Sequence, residues 1–91
     1  MDAPLERGSA VSKTIRTARH EALRALIRER RKAAGNTQAE LAHRLGRYQS
    51  YIAMIEGGEL RVGVIEFLDI AKAISFDPAK AIRSLAEIEE A

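Results

Sequence analysis

The 91-residue chain predicts an all-α fold, a compact five-helix domain. Apolar residues recur at spacings of three and four, the period of one helix face, and no stretch alternates in the manner of a half-buried strand. Stop and start signals at Gly35, Gly46, Gly57–Gly58 and Asp77–Pro78 cut the chain into segments of helical length. Apolar residues make up 46% and aromatics only 4%, so the one modest core this length allows must be built from Leu, Ile, Val and Ala.

Residues 1–16 carry Pro, Gly and Ser with no sustained period and are expected to form a flexible N-terminal arm ahead of a domain over residues 17–91. The first helix runs from about Thr17 to Ala34. Its inner edge is Leu23, Leu26 and Ile27, its flanks are Arg24, Arg28 and Arg31, and Gly35 supplies a left-handed stop. Thr37 with Glu40 three residues on forms a capping box. It opens a second helix over about Gln38 to Leu45 that buries Leu41, Ala42 and Leu45 and ends at Gly46. A third helix spans about Gln49 to Glu56, buries Ile52 and Ile55, and breaks at Gly57 and Gly58. The fourth, Gly63 to Ile74, has a wide apolar stripe of Val64, Phe67, Leu68, Ala71 and Ile74. Asp77 as N-cap and Pro78 at the first helical position open the fifth, with Ala81, Ile82, Leu85 and Ile88 as its inner face.

Composition removes several classes of function. Without cysteine there is no disulfide, thiol nucleophile or zinc-finger spacing. No apolar run approaches the ~18 residues of a membrane span, and no secretory leader is evident in residues 1–16, so a cytoplasmic location is expected. His20 and His43 lie on different helices without a ligand-spaced partner, and the acid pairs Glu89/Glu90 and Glu56/Glu59 sit at helix ends with no pocket to raise a pKa. No enzyme, metal or cofactor is therefore expected. Charge is polarised: residues 1–34 hold nine Lys/Arg against four acids, a net of +5, whereas residues 35–91 carry −3. That asymmetry suits a polyanion on one side, although solvation of helix faces accounts for it equally well.

The segment TQAELAHRLGRYQSYIAMIEGG, residues 37–58, reads as two short helices joined by a tight turn, a helix-turn-helix. With Ile52 and Ile55 facing inward, Gln49, Ser50, Ala53 and Met54 share the opposite side of the second of these helices. Such an exposed helix is what the major groove of DNA accepts. The Gln49 amide both donates and accepts, which matches adenine N6 and N7; Ser50 is a permissive contact; Ala53 and Met54 fit thymine methyls. An exposed or dimer-packing Met54 is an equally good reading. Arg47 in the turn and Arg61 beyond it are cations placed to hold the DNA backbone, with Arg28 a further candidate.

The stretch QAELAHRLG…QSYIAMIEGGE resembles the Cro/cI-type (XRE-like) helix-turn-helix DNA-binding family, over about Leu23 to Leu85. The resemblance implies a lambda-repressor-like fold and several residue roles. Gln38 would contact a DNA phosphate, with Thr37 first a cap and second a phosphate donor. Arg31 and Glu56 would form an ion pair locking the third helix. Three positions depart from the family pattern: Asn36 replaces an apolar residue; Tyr48 replaces a proline or small cap, to meet phosphate and sugar or to sit half-buried; Tyr51 either lines the groove or packs on the fourth helix.

The expected function is a sequence-specific transcriptional regulator of bacterial or phage origin, nucleoid-associated, a repressor that binds a palindromic operator in double-stranded DNA as a homodimer. Ile65 and Ile70 are the expected dimer contacts, on the fourth and fifth helices' wide apolar surface. Two other readings stand: an antitoxin that binds both DNA and a toxin protein, and a helical interaction module without DNA binding.

Overall fold

Each start and stop signal in the sequence is used. A computed structural model describes residues 17–89 and contains, in chain order, α1 (Ala18–Ala33), α2 (Gln38–Arg44), α3 (Gln49–Glu56), α4 (Val64–Ala73) and α5 (Pro78–Ala86). No strand occurs among the described residues. The arm expected over residues 1–16 lies outside them.

Local side-chain chemistry sets the starts. Thr17 Oγ1 accepts the His20 N–H at 3.1 Å. Thr37 Oγ1 accepts the Glu40 N–H at 3.0 Å while the Glu40 carboxylate accepts the Thr37 N–H at 2.8 Å, closing the capping box. Asp77 Oδ1 accepts the N–H groups of Ala79 and Lys80. The ends share one geometry. In α1, α2, α3 and α4 the second residue past the C-cap donates its N–H back to a carbonyl in the last turn: Asn36 to Arg31, Arg47 to Ala42, Glu59 to Met54 and Phe76 to Ala71. This closure needs a left-handed residue, which is Gly35, Gly46 and Gly58 in the first three and Ser75, at φ 58°, in the fourth.

Every helix contributes to one core. Ile27, Leu41, Ile52, Ile55 and Ile70 are fully buried, joined by Ala42, Phe67, Ala71, Ile74, Phe76 and Ala81. The Phe67 and Phe76 rings meet edge to face with centroids 5.6 Å apart. Helix α3 packs on both α1 and α2, while α4 packs on α2 and α5.

Helix α4 is rotated from the orientation its sequence predicts. Its inward edge is Phe67, Ile70, Ala71 and Ile74, which leaves Val64 (74% exposed), Ile65 (66%) and Leu68 at the surface. Ile70, expected at a dimer surface, lies instead at the centre of the core. The expected stripe was too wide for one face: α4 packs chiefly on α2 and α5, and the edge turned into the core is Phe67–Ile74. On α5, Ile82 is likewise exposed rather than inward.

Candidate nucleic-acid interface

Eight residues make α3, and its two sides differ completely. Ile52 and Ile55 are sealed into the core, while Gln49, Ser50 and Met54 are exposed and Ala53 is half-buried. The four side chains assigned to base reading therefore share one face, which is open at Gln49, Ser50 and Met54 and partly covered at Ala53. Tyr48, the α3 N-cap, is 86% exposed and makes no side-chain capping bond. Arg47, just before the helix in sequence, and Arg61, beyond the Gly57–Gly58 break, are exposed, and Arg28 is exposed on α1. The Arg47 guanidinium lies 4.3 Å from the centroid of the Tyr51 ring.

Tyr51 packs toward α4 rather than lining the exposed face. It sits against the core. Burial raises its phenol above the usual value, the Arg47 charge opposes that, and Glu66 and Asp69 of α4 reinforce it.

The angle of α3 is set from α1. Arg31 Nε donates to Glu56 Oε2 at 2.6 Å and Arg31 Nη2 to Glu56 Oε1 at 3.0 Å, a two-pronged ion pair with both residues nearly out of water (8% and 6% exposed). Arg31 Nη1 also donates to the Asn36 carbonyl at 2.8 Å, which ties the α1–α2 junction to the same cation. Burial pushes the Glu56 carboxyl up, but hydrogen bonds from Arg31 and Gln38, with the charges of Arg31 and Arg28, outweigh it and hold the group below the usual carboxylate range. The hydrogen bonding that Arg31 donates to the Glu56 carboxylate, with the charge of Glu56, raises the Arg31 guanidinium against its own desolvation. Asn36 Oδ1 is buried and accepts no hydrogen bond from the described residues, while its Nδ2 donates to the Ala34 carbonyl.

Gln38 and Gln49 are joined to this pair. Gln38 Nε2 donates to Glu56 Oε1 at 3.0 Å, and Gln49 Nε2 donates to Gln38 Oε1 at 3.2 Å. The side chains assigned separately to phosphate and base thus belong to one hydrogen-bonded chain.

A further residue has a role its sequence position does not signal. Arg24 reaches from α1 to the last turn of α3, donating from Nη1 to the Glu56 carbonyl at 2.7 Å while pairing with Glu21. Two other arginines repeat the pattern: Arg44 donates to the Ala73 carbonyl at the end of α4, and Arg19 to the Ala86 and Ile88 carbonyls at the end of α5. A cation at a helix C-terminus satisfies free carbonyls and opposes the dipole. In sequence these residues look like ordinary solvated charges, because their acceptors are 29 to 69 positions away.

A family model for a helix-turn-helix domain matches residues 22–85. The chain belongs to the XRE-like helix-turn-helix family of DNA-binding regulators. It is similar in structure to an XRE-family-like protein from Pseudomonas syringae pv. tomato, with 47% sequence identity, coverage of 84% of this chain and 93% of that one, and a TM-score of 0.74. The restriction-modification controller protein C.AhdI from Aeromonas hydrophila is similar at 31% identity, covering 67% of this chain and 86% of that one, with a TM-score of 0.58. Comparison with curated proteins found no significant match. Among the described residues, no three His, Cys, Asp or Glu side chains cluster as metal ligands, and no helix is long and apolar enough to cross a membrane.

Proposed function

We propose that this chain is a sequence-specific transcriptional regulator, a cytoplasmic repressor that reads a palindromic operator as a homodimer and occludes the promoter. The observation that carries the DNA-reading part is α3 itself. Its isoleucines are locked inside, Gln49, Ser50, Ala53 and Met54 stand on the outward side, and exposed Arg47 and Arg61 lie just before and beyond it in sequence. Base selection falls to Gln49, with Ser50, Ala53 and Met54 adding shape; Arg47, Arg61, Arg28, Tyr48, Thr37 and the spare N–H of Gln38 hold the backbone. Since this is few base contacts, two half-sites a helical turn apart supply the affinity. The controller described for the Aeromonas neighbour supports regulation as the role. The exposed apolar residues Val64, Ile65 and Leu68 of α4, with Ile82 on α5, are the proposed dimer surface.

The test is a fluorescence-anisotropy titration of a selected operator and of random duplex at two salt concentrations. Affinity should fall steeply as salt rises, by a slope of about 0.9 per neutralised phosphate, and the operator should bind more tightly than random duplex. No binding at low salt, or binding indifferent to salt, would refute the proposal. Gln49→Ala should relax preference at one base pair by ~1–3 kcal/mol; equal loss on operator and random DNA would remove its reading role. Sedimentation equilibrium tests the dimer: Ile65→Glu should halve the mass, and a monomeric parent would discard that interface.

A further inference from the structure

The turn between α2 and α3 holds a contact that lies apart from the buried ion pair. Arg47 stands two residues ahead of α3, and Tyr51 lies in the first turn of that helix, four positions on. The Arg47 guanidinium sits over the Tyr51 ring, 4.3 Å from its centroid. The negative face of the ring attracts the cation, and the planar, weakly hydrated guanidinium suits such a face better than an ammonium does. The two partners differ in freedom. Tyr51 is half-buried and packs against the core, so its ring is a fixed surface, whereas Arg47 is exposed at the end of a long stem. The acids Glu66 and Asp69 of α4 are close enough to act on the Tyr51 phenol, yet neither takes Arg47 into an ion pair. Among the described residues the Arg47 guanidinium makes no hydrogen bond either. Stacking uses the face of this group and leaves the five N–H donors on its edge unspent.

We infer that Tyr51 is a positioning residue for DNA binding: its ring holds the Arg47 guanidinium at the start of α3 as a preformed, two-pronged clamp for one backbone phosphate. This rests on the proposed binding of DNA by α3. An arginine on a free stem gives up rotamer freedom when it grips a phosphate, and that loss weakens binding. On the Tyr51 ring part of the loss is taken when the domain folds, before DNA arrives. The guanidinium fork matches two phosphate oxygens at once, and a group already stacked offers that fork without a search. Phosphate is the fitting ligand because Arg47 belongs to the turn and not to the Gln49–Met54 face, where base edges are read. The Tyr51 hydroxyl has no part in this role; the ring face alone supplies it.

Four substitutions separate the ring face, the hydroxyl and the cation. Tyr51→Phe keeps the face, Tyr51→Leu keeps apolar bulk against the core without it, Arg47→Ala removes the charge, and Arg47→Lys keeps the charge without the planar fork. Affinities are measured on a selected operator and on random duplex over a range of salt, with urea unfolding confirming that each variant is folded. The salt slope counts neutralised phosphates, while affinity at fixed salt also registers how well each cation is placed. Tyr51→Leu should weaken operator and random duplex alike, by about two- to fivefold, with the slope unchanged. Arg47→Lys should do the same from a surface position that leaves the core intact. Arg47→Ala should weaken both duplexes at least as much and lower the slope by about 0.9. In an Arg47→Ala background Tyr51→Leu should change affinity no further, and Tyr51→Phe should bind as the parent does. A Tyr51→Phe protein as weak as Tyr51→Leu overturns the inference, because the hydroxyl then meets DNA directly. Equal losses from Tyr51→Leu with and without Arg47 overturn it too, as does parental affinity in Arg47→Lys. A loss confined to the operator makes Arg47 a base contact and overturns the phosphate clamp. A second measurement needs no DNA: by NMR of the free protein, the Arg47 side-chain protons beside the guanidinium should be shifted upfield by the aromatic ring in the parent and in Tyr51→Phe, and return to the ordinary arginine range in Tyr51→Leu. Unshifted protons in the parent overturn the stack even where DNA binding stands. Absent DNA binding by the parent overturns the proposed function and the clamp together, and the ring shift still decides whether the stack exists.

Discussion

Glu56→Ala is the substitution whose consequences follow most directly from the geometry. Glu56 accepts three side-chain hydrogen bonds, two from Arg31 and one from Gln38, at 2.6 to 3.0 Å. Deleting the carboxylate strands the Arg31 cation at 8% exposure with the Asn36 carbonyl as its one remaining acceptor. Removing one member of a buried pair costs about 3–5 kcal/mol. The lower end applies here, since the Arg31 side chain retains 10% exposure and can draw in water. A domain of this length has roughly 5–13 kcal/mol of stability in total, so a loss near 3 kcal/mol is about a fifth to three fifths of it. Replacing both residues with apolar groups of similar volume, Arg31→Met with Glu56→Leu, leaves no stranded charge and should cost about 0–2 kcal/mol. Urea unfolding followed by far-UV circular dichroism measures Glu56→Ala and the four corners of the Arg31→Met/Glu56→Leu cycle. The reasoning is refuted if Glu56→Ala costs less than about 1 kcal/mol, or if the double variant loses the sum of the two single losses. The double variant should also bind its operator less tightly than its stability implies, because nothing then fixes α3 at its angle.

Three further outcomes follow from the same structure. Glu56 titrates below its unfolded value near 4.3, so its contribution is complete above that pH and disappears as pH falls through the lower folded value; urea midpoints should drop across this window, and Glu56→Gln should flatten that part of the curve, an identical slope counting against it. Ser75 occupies a left-handed conformation that a side chain resists, so Ser75→Gly should raise stability by about 0.5–1 kcal/mol after allowing for the greater freedom of the unfolded chain; a decrease would mean that the serine side chain contributes there. Arg24→Ala removes the bond to the Glu56 carbonyl and should cost about 0.5–1.5 kcal/mol in thermal or urea unfolding, with an effect below 0.3 kcal/mol assigning that arginine to solvent.

Helix boundaries were legible because their causes are local. Thr37 and Glu40 cap across three residues, Asp77 and Pro78 are adjacent, and the glycines that close α1, α2 and α3 act on the turn just before them. The inward side of α3 was legible for a similar reason: Ile52 and Ile55 are the two large aliphatic residues of a short helix, and no other rotation buries both. The family signature in residues 37–58 condenses the same local demands.

What lay beyond sequence depended on which surfaces meet. In α4 the apolar residues exceed one face, so periodicity permits several rotations, and contact with α2 and α5 chose the one that buries Ile70 and exposes Val64 and Leu68. Arg19, Arg24 and Arg44 find their carbonyl acceptors only once distant helix ends are brought to them. The end of α4 carries no glycine, and Ser75 takes the left-handed turn because burying Phe76 beneath Phe67 requires the chain to reverse there. Gln38 and Gln49 are eleven positions apart on separate helices. Their coupling to Glu56 exists because packing α2 against α3 sets Gln38 between a buried carboxylate, which accepts its N–H, and Gln49, whose N–H its oxygen accepts. Hydrogen bonding along the backbone acts over a few residues and can be read from neighbours, whereas burial and charge pairing act through space and are settled by the packing of the whole domain.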